Sequence, residues 1–294
     1  MDQASRLREM VSSDKEALKA RVISVTSGKG GVGKTSLSVN MAIEMAKKGK
    51  KVVVFDADFG LANVEVMLGI RPRYSLLDLL HNNKTIEEII TQGPNDIGFI
   101  SGGSGVSELA ALDDDSINQL VREIGKLDKL YDIIIIDTGA GITDSVLEFV
   151  MVSPEIVLVV TPEPTSITDA YSLLKVLRRK EKFNPLYKTI NVVTNRVTNE
   201  TEGGEIFDKI NTVSSKFLNT DLKFLGKIPQ DKNASMAIIE QKPVVLAYPN
   251  CPAAKCIAGI ASKLMNEEES ETKEKEGIAR LFLDYFKSKR RIRL

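Results

Sequence analysis

The decisive stretch of the sequence is SGKGGVGKTS, which runs from Ser27 to Ser36. It contains the pattern G-x-x-x-x-G-K-[ST] from Gly28 to Thr35, whose glycines let backbone N–H groups curl around phosphate oxygens. A β-branched run, Val22–Thr26, precedes the loop, and an amphipathic stretch follows it. This order predicts a strand, a phosphate-binding loop and a helix whose N-terminus favours anions. The pattern needs one lysine, Lys34, and leaves a second, Lys29, unexplained.

Length and composition restrict the class of protein. A chain of 294 residues suits one large α/β domain or two small ones, and 43% hydrophobic with 27% charged residues is a soluble globular profile. Lys+Arg and Asp+Glu both number 40, so any preference for nucleic acid or membrane must come from local clusters. Charges near the N-terminus disfavour a signal peptide, and two cysteines give no disulfide framework. We therefore expect a cytoplasmic protein.

Short β-branched runs alternate with longer amphipathic stretches, which predicts an α/β fold with a doubly wound, mostly parallel sheet flanked by helices. The runs are nearly continuously apolar, as in strands that are buried on both faces. The predicted strands are Val22–Thr26, Val52–Asp56, Ile97–Ser101, Ile133–Asp137, Ile156–Thr161, Ile190–Asn195 and Phe224–Ile228. The predicted helices include Lys34–Lys48, Asp115–Lys126, Ser166–Glu181 and Ala253–Met265.

Acidic residues end two of the predicted strands. VVVFDADFG supplies Asp56 and Asp58, and YDIIIIDTGAG supplies Asp137. Ligands of a doubly wound sheet gather at the carboxyl ends of its strands, so we expect the three carboxylates beside the phosphate loop. Strand-end aspartates also cap helices, but phosphoryl transfer needs a metal holder and a group that positions water. The set therefore predicts a nucleotide-hydrolysing site.

The motifs KGGVGKTS, DADFGLAN and DTGAG together resemble the deviant-Walker P-loop ATPases of the MinD/ParA class, a SIMIBI group, over residues 21–265. In that class the early lysine crosses to the partner's phosphates when two ATP-bound subunits close face to face. The resemblance thus implies a homodimer in which Lys29 stabilises transition-state charge in trans, as an arginine finger does. It also implies that Lys34 binds the β- and γ-phosphates and that Asp58 orients the attacking water.

The same resemblance implies ATP and Mg²⁺ as cofactors. The residues it assigns to Mg²⁺, partly through waters, are Thr35, Asp56 and Asp137. The residues it assigns to nucleotide binding are Gly28, Gly30, Gly31, Val32, Gly33, Lys34, Thr35, Ser36, Asn195, Pro229 and Asp231. The last three residues match the family's adenine-recognising elements, but ordinary turn chemistry remains an alternative for them.

Residues 277–294 predict an amphipathic, basic helix that follows a polar linker at 266–276. An apolar stripe beside clustered cations is typical of a helix that lies in an anionic membrane surface. The residues predicted to contact the membrane are Ile278, Leu281, Phe282, Tyr285, Phe286, Lys287 and Arg290. Packing of this helix back onto the domain is one alternative. Nucleic-acid binding is disfavoured, because no base-reading or stacking platform accompanies the cations.

Residues 1–20 predict a short amphipathic helix, and DQASRLREMV within them resembles the activating segment of the FlhG family, also called YlxH or FleN. Members of that family are MinD-like ATPases that control flagellar number and placement. The matching residues are Asp2, Gln3, Ala4, Leu7 and Arg8. In that family the segment docks on FlhF, a GTPase related to the signal recognition particle, and its glutamine promotes GTP hydrolysis.

This resemblance implies a flagellar regulator. Together with the basic, amphipathic C-terminal helix, it leads us to expect a protein that binds the inner face of the cell membrane peripherally and reversibly. Basal-body components are further partners that it leaves open. Two alternatives remain: a division-site MinD, and a scaffold that uses ATP as a dimerisation latch with little turnover. An iron–sulfur carrier is disfavoured, because Cys251 and Cys256 lack the two-residue spacing of metal-binding cysteine pairs.

Overall fold

The computed structural model describes residues 19–58, 63–103, 113–180, 183–185, 188–266, 277–280 and 282–283. The strands are β1 (Arg21–Thr26), β2 (Val52–Ala57), β3 (Thr91–Gln92), β4 (Gly98–Ser101), β5 (Ile133–Thr138), β6 (Glu155–Val160), β7 (Thr189–Val197) and β8 (Lys223–Pro229). They form one sheet in the order β3-β4-β2-β5-β1-β6-β7-β8. Every pair is parallel except β3 with β4. The predicted fold class is therefore confirmed.

Helices cover both faces of this sheet. Those in the described residues are α1 (Lys34–Lys47), α2 (Asn63–Leu68), α3 (Asp78–His81), α4 (Ile86–Ile89), α5 (Asp114–Gly125), α6 (Leu127–Leu130), α7 (Asp144–Val152), α8 (Pro164–Arg179), α9 (Glu202–Leu218), α10 (Lys232–Ile239), α11 (Val244–Ala247) and α12 (Pro252–Asn266), with a 3₁₀ turn at Pro94–Asp96. All seven predicted strands are present, each within two residues of its predicted ends. The sequence prediction missed β3, which is too short to show a pattern.

Apolar side chains of the central strands alternate between the two faces of the sheet, where they form one core cluster on one face and two on the other. On one face α1 and α12 pack over the central strands, and on the other face α5, α7, α8 and α9 do so. All six residues of β1, β2 and β5 are buried, which explains their continuous apolar runs. The carboxyl ends of these three strands therefore meet at one edge of a rigid, close-packed sheet.

The start of the C-terminal segment lies inside one of these cores. Ile278 and Phe282 are 1% and 2% exposed, and the Phe282 ring centroid lies 5.4 Å from that of Phe55 and 5.6 Å from that of Phe149. The Asp128 carboxylate accepts a hydrogen bond from the Ile278 backbone N–H at 3.1 Å. Ile278 and Phe282 cover apolar strand surface next to α5. The segment is therefore held both by this packing and by the hydrogen bond to Asp128.

This docking concerns two of the residues predicted to contact a membrane. In the described conformation Ile278 and Phe282 pack in the core of the domain, as the alternative of a tail that packs back expects, and their contact with a membrane stays a prediction. The other predicted membrane residues, Leu281, Tyr285, Phe286, Lys287 and Arg290, lie outside the described residues. Within the described part of the chain, no helix has the length and apolar character needed to cross a bilayer.

Both edges of the sheet are irregular. At one edge β3 contributes only two residues, in antiparallel pairing with β4. At the other edge the pairing of β7 with β8 shifts register between Val192 and Val193 and again between Asn195 and Val197. Lys223, the first residue of this edge strand, is exposed.

The docked segment generates a stability prediction. Phe282→Ala should lower the free energy of unfolding by about 3–5 kcal/mol, because it removes a fully buried ring from an aromatic cluster. The matched control is Phe217→Ala, since Phe217 is 65% exposed and the change should stay within about 0.5 kcal/mol. Urea denaturation of both full-length variants gives the comparison. Equal, small losses would contradict docking of the segment.

Candidate nucleotide-binding site

The phosphate loop joins β1 to α1, and two of its glycines occupy positions that no other residue fits. A Cβ at Gly28 would lie 2.2 Å from the backbone of Asp169 in α8. Gly33 has a φ of +99°, and a Cβ there would lie 2.4 Å from the Asn195 amide nitrogen. The loop is therefore fixed between α8 and the end of β7, with the N-terminus of α1 directly after it.

Lys34 begins α1 and is only 8% exposed. Burial lowers the pKa of its ammonium group, and the nearby Asp137 and Asp58 carboxylates oppose that shift. A buried cation at a helix N-terminus, where backbone N–H groups also point outward, favours an anionic ligand. Lys34 is thus positioned to bind phosphate oxygens, as the loop pattern predicts.

Asp137, the residue before the last in β5, is a fully buried carboxylate that α1 holds in place. It accepts hydrogen bonds from the Thr35 hydroxyl at 2.6 Å and from the Ser38 hydroxyl at 3.0 Å. Burial raises its pKa to about 6, against the hydrogen bonds and the Lys34 charge, which favour the ionised form. The hydroxyl and the carboxylate predicted to share a metal are therefore in direct contact.

Asp56 lies beside Asp137, because the two residues are register partners on adjacent strands. Burial raises the pKa of Asp56 to about 8, and the Asp137 charge adds to the shift. Its carboxylate accepts the backbone N–H groups of Asp58 at 3.1 Å and Val64 at 3.2 Å. Two carboxylates this buried and this close repel each other, and a divalent cation would relieve that repulsion.

The residues Thr35, Asp56 and Asp137 fit Mg²⁺ by their chemistry. They offer hard oxygen donors, and Mg²⁺ usually binds one or two carboxylates together with water and substrate phosphates. No group of three or more His, Cys, Asp or Glu side chains among the described residues is arranged to hold a metal by itself. In this site the phosphates and waters would complete the coordination.

Asp58, the predicted water-positioning residue, is oriented by a neighbour that the sequence prediction did not assign. The Asn63 side-chain amide donates to the Asp58 carboxylate at 3.0 Å. A Cβ on Gly139 would lie 3.5 Å from the same carboxylate, which places Asp58 beside the DTGAG turn. Asn63 closes the motif DADFGLAN, and that position was the available signal.

Lys29 binds within its own subunit. Its ammonium group donates to the Glu163 carboxylate and, at 2.9 Å, to the Thr165 hydroxyl. Neither partner was predicted, because both follow β6 in a stretch, TPEPTS, that reads as an ordinary strand-to-helix turn.

The three residues predicted to contact adenine lie at the ends of β7 and β8. Asn195 donates from its amide to the Val32 carbonyl at 2.8 Å and so reaches the phosphate loop. Pro229 ends β8. The Asp231 carboxylate caps α10 through Asn233 and accepts the Ala253 N–H at 3.1 Å, which is the turn role left open by the sequence. Contact of these three residues with adenine stays a prediction.

The residues predicted to activate a partner GTPase lie outside the part of the chain that the structure describes; they are Asp2, Gln3, Ala4, Leu7 and Arg8.

Comparisons with known proteins agree with this geometry. A family model described as ParA, NUBPL iron-transfer P-loop NTPase, matches residues 19–265. The chain belongs to the ParA/MinD family of P-loop NTPases. It is 36% identical to the antiactivator FleN of Pseudomonas aeruginosa, over 83% of this chain and 86% of the relative. It is 34% identical to the flagellum site-determining protein YlxH of Helicobacter pylori, over 89% and 88%.

A solved structure of the ParA/MinD family gives the same result for the fold. The MinD cell division protein of Aquifex aeolicus superposes with a TM-score of 0.66 at 30% identity, covering 84% of this chain and 97% of that one. The phosphate loop, Asp56, Asp58 and Asp137 thus lie at the carboxyl edge of a sheet of the ParA/MinD type. Nucleotide binding by this chain follows from family membership together with the loop geometry.

The buried carboxylates generate a pH prediction. Without metal or nucleotide, the free energy of unfolding should fall as pH rises from about 4 to about 8, because folded Asp56 and Asp137 retain protons that the unfolded chain has released. Asp56→Asn should reduce this slope. The control Asp208→Asn, which removes an exposed carboxylate, should leave it unchanged. Urea denaturation across this pH range in the presence of a chelator is the measurement, and identical slopes for all three proteins would contradict the assignment.

Proposed function

We propose that this chain is a MinD-like ATPase that dimerises with ATP, binds the membrane through its C-terminal helix and regulates flagellar number or placement. The observation that carries the proposal is the convergence of Lys34, Thr35, Asp58 and Asp137 beside a fixed phosphate loop. Two relatives aligned over more than four fifths of the chain are named an antiactivator and a flagellum site-determining protein. Their names support the flagellar setting.

Each side chain has one task in the proposed hydrolysis. Lys34 binds the β- and γ-phosphates, and Thr35 with Asp137 would hold Mg²⁺, which neutralises charge on the phosphate oxygens. Asp58, held by Asn63, positions the water for attack on the γ-phosphorus. Hydrolysis then removes the γ-phosphate that the site was holding.

Dimerisation would place Lys29 against the partner's nucleotide. Its side chain is 36% exposed, so it can leave Glu163 and Thr165 and extend toward a partner subunit without unfolding the loop. A cation supplied in trans stabilises charge on the γ-phosphoryl group, and it makes ATP binding and dimer formation one event.

Membrane binding would use the C-terminal helix, and Ile278 and Phe282 would have to leave their docked position in the domain to enter the bilayer. Each buried large apolar side chain is worth about 1.5–3 kcal/mol in either place, so the domain and the bilayer compete on similar terms. Basic residues near an anionic surface add about 1 kcal/mol each. Two helices linked through an ATP-held dimer gain avidity, so the ATP state would control residence on the inner face of the membrane.

At the other end, the segment with Gln3 would activate a flagellar GTPase of the FlhF type. A glutamine side chain donates and accepts hydrogen bonds at once, which suits the alignment of a water with a γ-phosphate. This part of the proposal rests on the matching residues of the sequence.

Co-sedimentation with vesicles tests the membrane switch. The full-length protein should pellet with phosphatidylglycerol vesicles and a non-hydrolysable ATP analogue, but not with ADP or neutral vesicles. Lys29→Ala should abolish pelleting by preventing the dimer, and Lys287→Glu with Arg290→Glu should abolish it while leaving Ile278 and Phe282 in place. The charge-matched control is Lys209→Glu with Lys216→Glu, on an exposed face of α9. Binding in every condition, or in none, would refute the switch.

Gln3→Ala tests the partner. In the presence of a flagellar GTPase of the signal-recognition-particle type, the full-length chain should stimulate GTP hydrolysis, and the variant should lose most of that stimulation because no side chain aligns the water. Ser13→Ala, outside the matching residues, serves as the control. Undiminished stimulation by Gln3→Ala would exclude the glutamine mechanism, whereas no stimulation by the unaltered full-length chain would favour the division-site alternative.

A further inference from the structure

The cis contacts of Lys29 form a defined holding site. The ammonium group of Lys29 donates to both the Glu163 carboxylate and the Thr165 hydroxyl, and the side chains of the ion pair are 36% and 52% exposed. This holding site, formed by Glu163 and Thr165, lies at the start of α8, where Glu163 is the residue before the helix and Thr165 is in its first turn. An exposed pair of this kind adds little to the stability of the fold, so its main effect is on the position of Lys29.

The surrounding backbone fixes the holding site relative to the loop. Gly28, the residue before Lys29, lies so close to the Asp169 backbone that any Cβ there would clash. The Ser166 hydroxyl accepts the Thr161 N–H at 3.0 Å, which fixes the turn that carries Glu163. Lys29 therefore meets its acceptors in a preorganised arrangement that needs no rearrangement of the loop.

The cis contacts and the proposed trans contact exclude each other. The ammonium group is a single charge at the end of a flexible side chain. It cannot contact Glu163 of its own subunit and the phosphates of a partner's nucleotide at the same time without weakening both contacts. We propose that Glu163 is a positioning residue that holds Lys29 in cis in the monomer and so sets the threshold for ATP-dependent dimerisation. This inference rests on the proposed function, since it concerns the same lysine and the same dimer.

The strength of the pair suits a reversible latch. An exposed ion pair is weak, so a nucleotide carrying several phosphate charges can outcompete it. The hydrogen bond and charge of Lys29 hold the pKa of Glu163 below its usual range, and Arg196 acts in the same direction. When Lys29 leaves, the half-exposed Glu163 carboxylate is hydrated by solvent, so release does not strand a buried charge.

The test compares the dimerisation of full-length variants in a non-hydrolysable ATP analogue by analytical ultracentrifugation. Glu163→Gln keeps the shape and removes the charge. An exposed pair shifts an equilibrium by roughly 1.5- to 5-fold, and a dimer releases two lysines, so the dimer dissociation constant should fall about 2- to 25-fold. Glu163→Asp should stay close to wild type because it restores a carboxylate.

Two controls separate the latch from a general charge effect. Asp144→Asn removes another exposed, ion-paired carboxylate, at the start of α7, and should leave the dissociation constant unchanged. In ATPase assays, Glu163→Gln should reach half-maximal rate at a lower protein concentration with the same maximal rate per dimer. A residue that only stabilised the fold would not lower the protein concentration for half-maximal rate while leaving the maximal rate per dimer unchanged.

The outcomes are distinguishable. If wild type forms no dimer with the analogue, the proposed function fails. If wild type dimerises and Lys29→Ala does not, while Glu163→Gln dimerises like wild type or more weakly, only the holding role fails. A weaker dimer would mean that Glu163 contacts the partner instead. Dimers of the double variant Lys29→Ala, Glu163→Gln would also overturn the inference, because Glu163 would then act independently of the lysine.

Discussion

The contact between Asp137 and the first two turns of α1 is the interaction on which the site depends. A fully buried carboxylate at the end of the central strand β5 is held by the hydroxyls of Thr35 and Ser38. Those bonds set the helix against the sheet, and the helix in turn sets Lys34 and the phosphate loop. Because Asp56 lies next to Asp137 across the β2–β5 pair, the same contact concentrates negative charge where a cation is required. The same residues therefore determine both how α1 packs on the sheet and where negative charge collects in the site.

The sequence predicted the parts of the site that follow strands with strong patterns. Asp56, Asp58 and Asp137 could be placed together because parallel strands end at one edge, and the loop carries a pattern with a known physical basis. Glu163 and Thr165 could not be foreseen, because their contact with Lys29 spans more than 130 positions and depends on how closely α8 approaches the loop. Asn63 lies in the motif DADFGLAN, but the motif does not indicate that its amide contacts Asp58, because that contact depends on the path of the chain after β2.

The C-terminal segment shows why amphipathic pattern alone is ambiguous. Ile278 and Phe282 have the spacing of a membrane-binding stripe, yet the same spacing fits a groove lined by Phe55 and Phe149. Periodicity reports that one face needs an apolar partner and says nothing about which partner. Asp128, whose carboxylate receives the Ile278 N–H, is the polar contact that favours the domain, and it lies 150 positions away in the sequence.

The irregular edges of the sheet have a consequence for how copies of this chain can meet. An exposed, regular edge strand invites another chain to add a strand through its free backbone groups. Here one edge ends in the two-residue β3, and the other has a twice-shifted strand that begins with an exposed lysine. Fusion of sheets between molecules is therefore disfavoured at both ends. Assemblies of this chain have to be built from side-chain surfaces, which a small ligand can create or dissolve, rather than from backbone pairing, which it cannot.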